Sequence, residues 1–207
     1  MALSLVDDPG KQALRAAVEA VEARSSAEVV VAIRGASGFY LHADLIVAAI
    51  FATATLAFLL FSHVEFAIEW FVVDPLAVGA AFGWLSSRTP WARRLLTPAR
   101  TRRRWVETAA HAAFFERGVH MTSGRTGVLV YVSNLERQVA LIGDRGVTAL
   151  VPPAHWADLH RALEARVDRG LDVVGLAQAI GGLAPLLEPY LPRAEDDVNE
   201  LPDEVDL

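Results

Sequence analysis

Cysteine is absent from this sequence of 207 residues. Its absence excludes disulfide bonds, thiolate metal sites and cysteine nucleophiles. Three motifs with defined chemistry are missing as well: the Walker phosphate-binding sequence, the HExxH zinc motif and the GxSxG nucleophile turn. No motif therefore assigns the chain to a nucleotide-binding, zinc-protease or serine-hydrolase class.

Charge is missing from a long internal stretch, the 20 residues 45–64. As a helix this stretch would be about 30 Å long, the thickness of the hydrocarbon core of a bilayer. A second apolar segment, residues 66–85, contains Glu69 and Asp74. We predict a two-helix transmembrane hairpin over residues 42–87, with spans at 45–64 and 66–85. The alternative is a buried helical pair in a soluble protein.

Acidic residues are missing from the segment after the hairpin, which contains seven arginines: Arg88, Arg93, Arg94, Arg100, Arg102, Arg103 and Arg104. Arginine-rich loops stay on the cytoplasmic side of a membrane. We therefore predict a multi-pass protein of the cell membrane, of the bacterial inner-membrane type, with both termini in the cytoplasm. Residues 88–101 are interpreted as a basic cytoplasmic connector, with Arg88, Arg93 and Arg94 as anchors at the membrane interface.

The acidic charge of the chain is concentrated at its C-terminal end. The last 13 residues contain seven acids and no base, whereas the other 194 residues contain 19 basic and 18 acidic residues. The other 194 residues are nearly neutral, so their net charge gives no support to a nucleic-acid partner. The predicted partner is the lipid bilayer. Residues 193–207 are predicted to form an acidic disordered tail. The polar N-terminal region contains no signal peptide pattern.

The segments on either side of the hairpin have the pattern of one α/β domain. A helix should begin at Asp8, as N-cap, with Pro9 at its first position. β-Branched runs predict strands at 28–33, 128–132 and 138–142, the last two as a β-hairpin. Helices are predicted at 102–117, after Pro153 and after Asp172. We expect residues 1–41 and 102–192 to form one sheet with helices on both sides.

Three stretches carry a resemblance to a known family: Ser25 to Val31, Thr122 to Ser133 and Glu136 to Val147. Together they resemble the TPM domain family, over about residues 10–34 and 100–190. The resemblance implies an α/β/α sandwich, here interrupted by the two-helix hairpin, and a membrane-associated protein. Described roles in that family range from phosphatase-like activity with divalent-cation binding, in plant thylakoid forms, to auxiliary roles for membrane complexes.

Candidate site residues lie where the predicted strands end. Glu28, Glu136 and Asp144 have the oxygen ligands that Mg²⁺ or Ca²⁺ prefers. Arg125 and Arg145 could hold a phosphate bidentately. The alternative is that these are solvated turn charges and a surface ion pair. The glycine-rich loop 123–127 could bind an anion through backbone N–H groups. An ordinary turn is the preferred interpretation, because the loop lacks the Walker spacing and the Lys-Ser/Thr that would follow it.

Two function classes follow from these features. The first is an integral membrane protein whose cytoplasmic TPM-like domain is an interaction or assembly module for membrane proteins. The second is a metal-dependent, phosphatase-like hydrolase acting near the membrane. The first is preferred because hydrolytic metal sites usually need several convergent ligands, and the sequence has no dense acidic cluster in its folded part.

Overall fold

The computed structural model describes residues 6–193, 200 and 201. In chain order the elements are α1 (Asp8–Glu22), β1 (Glu28–Arg34), α2 (Leu41–Phe61), α3 (Trp70–Ser87), α4 (Pro90–Leu96), α5 (Ala99–Glu116), β2 (Gly127–Ser133), β3 (Gln138–Gly143), α6 (Arg145–Leu150), α7 (Pro153–Glu164), α8 (Val173–Gly181) and α9 (Leu183–Leu187). The chain divides into two compact units. One comprises Met1–Ser37 with Arg103–Leu207, and the other comprises Gly38–Arg102.

The first unit is built on a mixed three-stranded sheet with the strand order β1, β2, β3. β1 pairs with β2 in parallel, with Glu28 opposite Gly127, and β2 pairs with β3 antiparallel. All seven residues of β2 are buried because this strand lies in the centre of the sheet. The predicted β2–β3 hairpin and the single α/β sheet are therefore confirmed.

Alternate residues of the strands contribute to two apolar cores, one on each face of the sheet. On one face, Val29 and Val31 of β1 pack with buried residues of α1, α7, α8 and α9, among them Leu14, Leu163 and Ile180. On the other face the partners are residues of α5, including Ala110 and Phe114. This alternation follows from the two-residue period of a strand.

The second unit contains two helices that pack along each other, α2 and α3. Gly79 and Gly83 of α3 form a GxxxG pattern, and an added Cβ at Gly79 would lie 2.9 Å from the Ala48 carbonyl oxygen. The rings of Phe51 and Phe82 stack with centroids 3.7 Å apart. Small residues allow close backbone approach, which is the usual packing of helices in membranes. The pattern was not among the features used to predict the hairpin.

Both helices of this pair are long and apolar enough to cross a membrane, which by length and composition alone is weak evidence for spanning. In the apolar 18-residue stretch of each helix, only 11% of α2 and 17% of α3 is buried. Phe58, Phe61, Ile68 and Leu76 are among the exposed large hydrophobic side chains, each at least 64% exposed. A core helix of a soluble protein would be mostly covered, so this exposure argues against the soluble alternative.

Several predicted boundaries differ from those in the structure. The N-cap of α1 is Asp7, which accepts a hydrogen bond from Gly10 N at 2.9 Å, and Asp8 is already helical. The basic connector is largely helical: Pro90 begins α4, and α5 begins directly after Pro98. Both prolines stand where a helix tolerates a missing N–H. The last predicted helix is capped by Asp172 as expected, but it divides into α8 and α9 at Gly182.

Candidate functional site

Two of the predicted carboxylates lie at the same end of the sheet. Glu28 begins β1 opposite Gly127, and Asp144 follows β3 with its N–H bonded to the Gly127 carbonyl oxygen at 2.9 Å. Each is thus one strand away from Gly127. Neighbouring strands are about 4.8 Å apart, so the backbones of Glu28 and Asp144 are separated by about 10 Å. We call this the Glu28 end of the sheet.

Glu136 lies at the opposite end, in the turn that joins β2 to β3. Its side chain is 1% exposed and accepts hydrogen bonds from Ser37 N, at 3.0 Å, and from Ser133 Oγ. The length of β2 separates it from the Glu28 end. Glu136 therefore cannot be a ligand of an ion held by Glu28 and Asp144. Among the residues that the structure describes, no group of three acidic or histidine side chains is placed to hold a metal.

The loop between the 3₁₀ turn Val119–Met121 and β2 is held by its own hydrogen bonds. Thr122 accepts from Arg125 N and, through Oγ1, from Thr126 N, both at 3.0 Å. Arg125 has a positive φ of 53°. Gly127 allows a close approach, because a Cβ there would lie 2.1 Å from the Val119 carbonyl oxygen. The glycine-rich loop is a fixed turn at the Glu28 end of the sheet.

The two predicted anion-binding arginines do not form a shared pocket. The Arg125 guanidinium donates to the His120 carbonyl at 2.7 Å and lies 3.8 Å from Asp144 Oδ2. Arg145 begins α6 and is exposed, and its backbone N–H donates to Asp144 Oδ1 at 2.7 Å. Asp144 is thus mainly the N-cap of α6. Its Oδ2 atom is buried and accepts no hydrogen bond from the described residues.

A carboxylate does bind the loop, but it comes from the C-terminal region of the chain. Ser123 donates two hydrogen bonds to Glu200, from N to Oε2 at 2.9 Å and from Oγ to Oε1 at 2.5 Å. These bonds lower the pKa of the Glu200 carboxyl, the side-chain bond having the larger effect. The sequence had suggested an anion at this loop, but it identified neither Ser123 as the donor nor Glu200 as the anion.

Glu28 contacts the same segment from the other side. Its side chain is 5% exposed, and its two carboxylate oxygens face Glu200 N at 3.3 Å and Leu201 N at 3.4 Å. The Leu201 side chain is partly buried and packs against the apolar core on the α5 face of the sheet. The Glu28 end therefore holds a two-residue segment by its carboxylate, its main chain and its apolar side chain.

A groove of about 360 Å³ runs along the edge of β3 that faces away from β2. One wall is formed by α5, with Arg103, Glu107 and His111, and the other by α7, with Trp156, His160 and Glu164. Since these helices lie on opposite faces of the sheet, the floor of the groove is the edge of β3 itself.

Hydrogen-bonding groups of β3 point into this groove. The bond from Asp144 N to Gly127 O fixes which residues face β2, because backbone groups alternate in direction along a strand. By that alternation, the N–H and C=O of Leu141 point away from β2. The Val139 carbonyl, which points the same way, meets His160 Nε2 at 2.8 Å. Gln138 Oε1 also lines the groove, buried and without a hydrogen-bond partner in the described part of the chain.

The predicted membrane anchors have different surroundings in the second unit. The exposed Arg88 guanidinium lies 4.9 Å from the centre of the Trp84 ring. Arg93 forms a bidentate pair with Asp44 of α2, at 2.6 Å from Nη2 to Oδ2 and 3.2 Å from Nε to Oδ1. Ser86 Oγ donates to the same carboxylate at 2.9 Å. Arg93 thus ties α4 to the base of the α2–α3 hairpin, and a membrane-interface role for Arg88 and Arg94 stays a prediction.

Comparison with known proteins gives one structural likeness. No protein-family model matches the sequence, and no curated protein matches it. The fold is similar to the NMR structure of BA42 protein from the psychrophilic bacterium Bizionia argentinensis, with a TM-score of 0.61 and 16% sequence identity, over 100% of this chain and 97% of that one. At this identity the likeness concerns the fold alone. The resemblance to the TPM family stays a prediction.

Proposed function

We propose that this chain is a membrane-anchored interaction module for other membrane proteins. In this proposal α2 and α3 span the bilayer, both termini lie in the cytoplasm, and the first unit is a TPM-like α/β/α sandwich. Its recognition surface is the groove along β3, which binds an extended segment of the partner. The observation that carries the proposal is the outer edge of β3 between the walls formed by α5 and α7, on which no strand pairs among the described residues.

The hairpin unit supports the membrane assignment. The exposed hydrophobic surface of α2 and α3 would be costly in water and is matched to the lipid interior. Trp91 and Leu95 of α4 are 63% and 77% exposed, next to Arg94 in the same short helix. Aromatic and basic residues of this kind are typical of the headgroup region. The arginines that follow α3 favour a cytoplasmic location for this side.

The groove supports peptide binding because its polar groups match the main chain of an extended segment. An added strand would pair with the N–H and C=O of Leu141, and Gln138 Oε1 would accept an additional N–H. Such pairing supplies affinity through the main chain, while wall residues such as Glu107 and Trp156 would select side chains. An extended segment of four to six residues is about 13 to 20 Å long, similar to the length of β3.

The test is site-specific photo-crosslinking in intact membranes. A photoreactive residue is placed at Glu107, an exposed position in the groove, and in a matched variant at Glu19, an exposed position of α1. We expect a discrete membrane-protein adduct from position 107 and none from position 19. Leu141→Pro should remove the adduct, because proline lacks the N–H that faces the groove, while an edge strand tolerates it. Identical adducts from both positions, or no adduct from folded protein, would refute the proposal.

One observation favours the second candidate, a metal-dependent phosphatase-like activity with Mg²⁺ or Ca²⁺. Asp144 Oδ2 is buried without a hydrogen-bond donor, and Glu28 lies at the same end of the sheet. These two residues would hold the ion, which would polarise a phosphoryl oxygen. Metal-stimulated hydrolysis of an aryl phosphate by the detergent-purified protein, lost in Asp144→Ala, would favour this candidate over the interaction module.

A further inference from the structure

The Glu28 end of the sheet is already occupied by a piece of the chain with ligand-like contacts. Both carboxylate oxygens of Glu200 accept from one residue, Ser123, whose N–H and hydroxyl point in the same direction. Hydrogen bonds to an ionised carboxylate are about twice as strong as neutral ones. Glutamine could keep both contacts only by donating its amide N–H to the hydroxyl, and it would lose the negative charge that strengthens both bonds. The Ser123 contact therefore favours an ionised acid over its amide.

The contacts made by Glu28 and by Leu201 depend on two other properties of the segment, its main chain and its apolar side chain. Glu28 accepts from the N–H groups of two consecutive residues, a contact that any extended main chain other than one with proline could make. Because Glu28 is nearly buried, these donors also compensate for the removal of its carboxylate from water. Leu201 supplies an apolar side chain to the core on the α5 face. The three contacts together describe an acidic residue followed by leucine.

These contacts are weak enough for the segment to exchange. The Ser123–Glu200 bonds are exposed to solvent, where water competes for both partners. The bonds to Glu28 are long. A partner segment of equal intrinsic affinity therefore displaces the tethered segment when its concentration exceeds the effective concentration of that segment.

We infer that the Glu28 end is a binding site for an acidic, Glu-Leu-containing segment of a partner protein, and that Glu200 and Leu201 are its intramolecular occupant. The tail then regulates access: a partner segment of the same chemistry binds by displacing it. This site is separate from the β3 groove, so either site could exist without the other.

The expected size of the effect follows from linkage. A segment tethered to its own binding site has an effective concentration on the order of 1 mM. For an intrinsic dissociation constant on the order of 0.1 mM, the tethered segment weakens binding of a free peptide about tenfold. Removing the intramolecular contact should therefore strengthen binding of the free peptide about tenfold.

The test uses the full chain in detergent and a labelled peptide with the sequence of residues 198–205, VNELPDEV. The double variant Glu200→Gln/Leu201→Ser should bind the peptide about tenfold more tightly than the wild type. The matched control, Glu204→Gln/Val205→Ser, changes one acid and one apolar residue of the same tail and should bind like the wild type. A peptide with glutamine and serine at the two critical positions should bind neither protein.

A second measurement locates the binding. Adding Ser123→Ala to the Glu200→Gln/Leu201→Ser variant should weaken peptide binding at least fivefold, and hydrogen exchange at the Ser123 amide should slow when peptide is bound. Equal affinity of the wild type and the double variant, or equal binding of the peptide with glutamine and serine, would overturn the inference. Loss of the photo-adduct at position 107 with peptide binding intact would instead refute only the β3-groove proposal.

Discussion

The two ends of the sheet each bury a glutamate, but they satisfy it in different ways. At one end Glu136 accepts from Ser37 and Ser133, which are fixed parts of the fold. At the other end Glu28 accepts from the main chain of Glu200 and Leu201, a segment that comes from the end of the sequence. A buried carboxylate with permanent donors stabilises a fold, whereas one with exchangeable donors can recognise a ligand.

The Glu136 network also joins distant parts of the chain. Ser37 Oγ is within hydrogen-bond distance of Tyr131 Oη, at 3.0 Å, and of Ser133 Oγ, at 2.7 Å. Ser37 follows β1, while the other members belong to β2 and to the turn after it. The network thus closes the first unit at the point where the chain leaves it for α2.

The largest expected effect is that of Glu136→Ala. The substitution leaves Ser37 N and the Ser133 hydroxyl without their acceptor in a buried site, which should cost about 3 kcal/mol of unfolding free energy. Urea unfolding of the detergent-solubilised protein, followed by tryptophan fluorescence, measures it. Glu136→Gln is the matched control and should cost less, because one acceptor oxygen remains. A loss below about 0.5 kcal/mol for the alanine variant would contradict the structural role.

Gly127→Ala should have the next largest effect. Its Cβ would lie 2.1 Å from the Val119 carbonyl oxygen, so the loop before β2 would have to move. Overpacking of this kind costs about 1–3 kcal/mol. Gly181→Ala is a suitable control, because a Cβ at Gly181 meets nothing within 4 Å. If both variants unfold at the same urea concentration, the Glu28 end lacks the rigid frame described here.

Glu28→Gln should change stability by less than about 1 kcal/mol. Two of its donors, the N–H groups of Glu200 and Leu201, can return to water, and glutamine keeps one acceptor oxygen. Amide exchange at Leu201 should nevertheless become faster, because the docked segment loses a charged acceptor. Hydrogen exchange by mass spectrometry, with Glu136→Gln as the comparison, measures this difference. Unchanged exchange at Leu201 would mean that Glu28 does not hold the segment.

The smallest effect is expected from pH. Because the Ser123 hydrogen bonds lower the pKa of Glu200, docking contributes stability above the unfolded-state pKa, about 4.3, and loses it as pH falls through the lower folded-state pKa. Exchange at the Ser123 amide, corrected for intrinsic rates, should therefore show less protection at about pH 3.5 than at about pH 6. The Glu200→Gln variant should show no such change over the same range.

The sequence predicted the three strands and the β2–β3 hairpin because this information is local. β-Branched runs with turn residues between them identify β1, β2 and β3, and a helix must cover each apolar face. Boundaries were less accurate, as at Asp7 and Asp8, since neighbouring polar residues can both cap a helix. The GxxxG pattern at Gly79 and Gly83 was readable from the sequence as well.

The candidate site was predicted only in part because its contacts are not local. Ser123 and Glu200 are 77 positions apart, and an acidic, aromatic-poor tail gives no local sign of docking. Glu136 has the sequence context of a solvated turn charge, yet Ser37, 99 positions earlier, buries it. The expected disorder of residues 193–207 falls mainly outside the described residues. No periodicity in the sequence encodes these long-range pairs.

The parallel pairing of β1 with β2 has a consequence for biosynthesis. Each residue of β1 pairs with a residue 99 positions later, as Glu28 does with Gly127. At about 5–20 residues per second, β1 leaves the ribosome about 5–20 s before its partner strand exists. In the proposed topology the two apolar helices are synthesised and inserted during this interval. A valine-rich strand must therefore wait, unpaired, until insertion is complete, and a delay in insertion would extend the period in which it can aggregate.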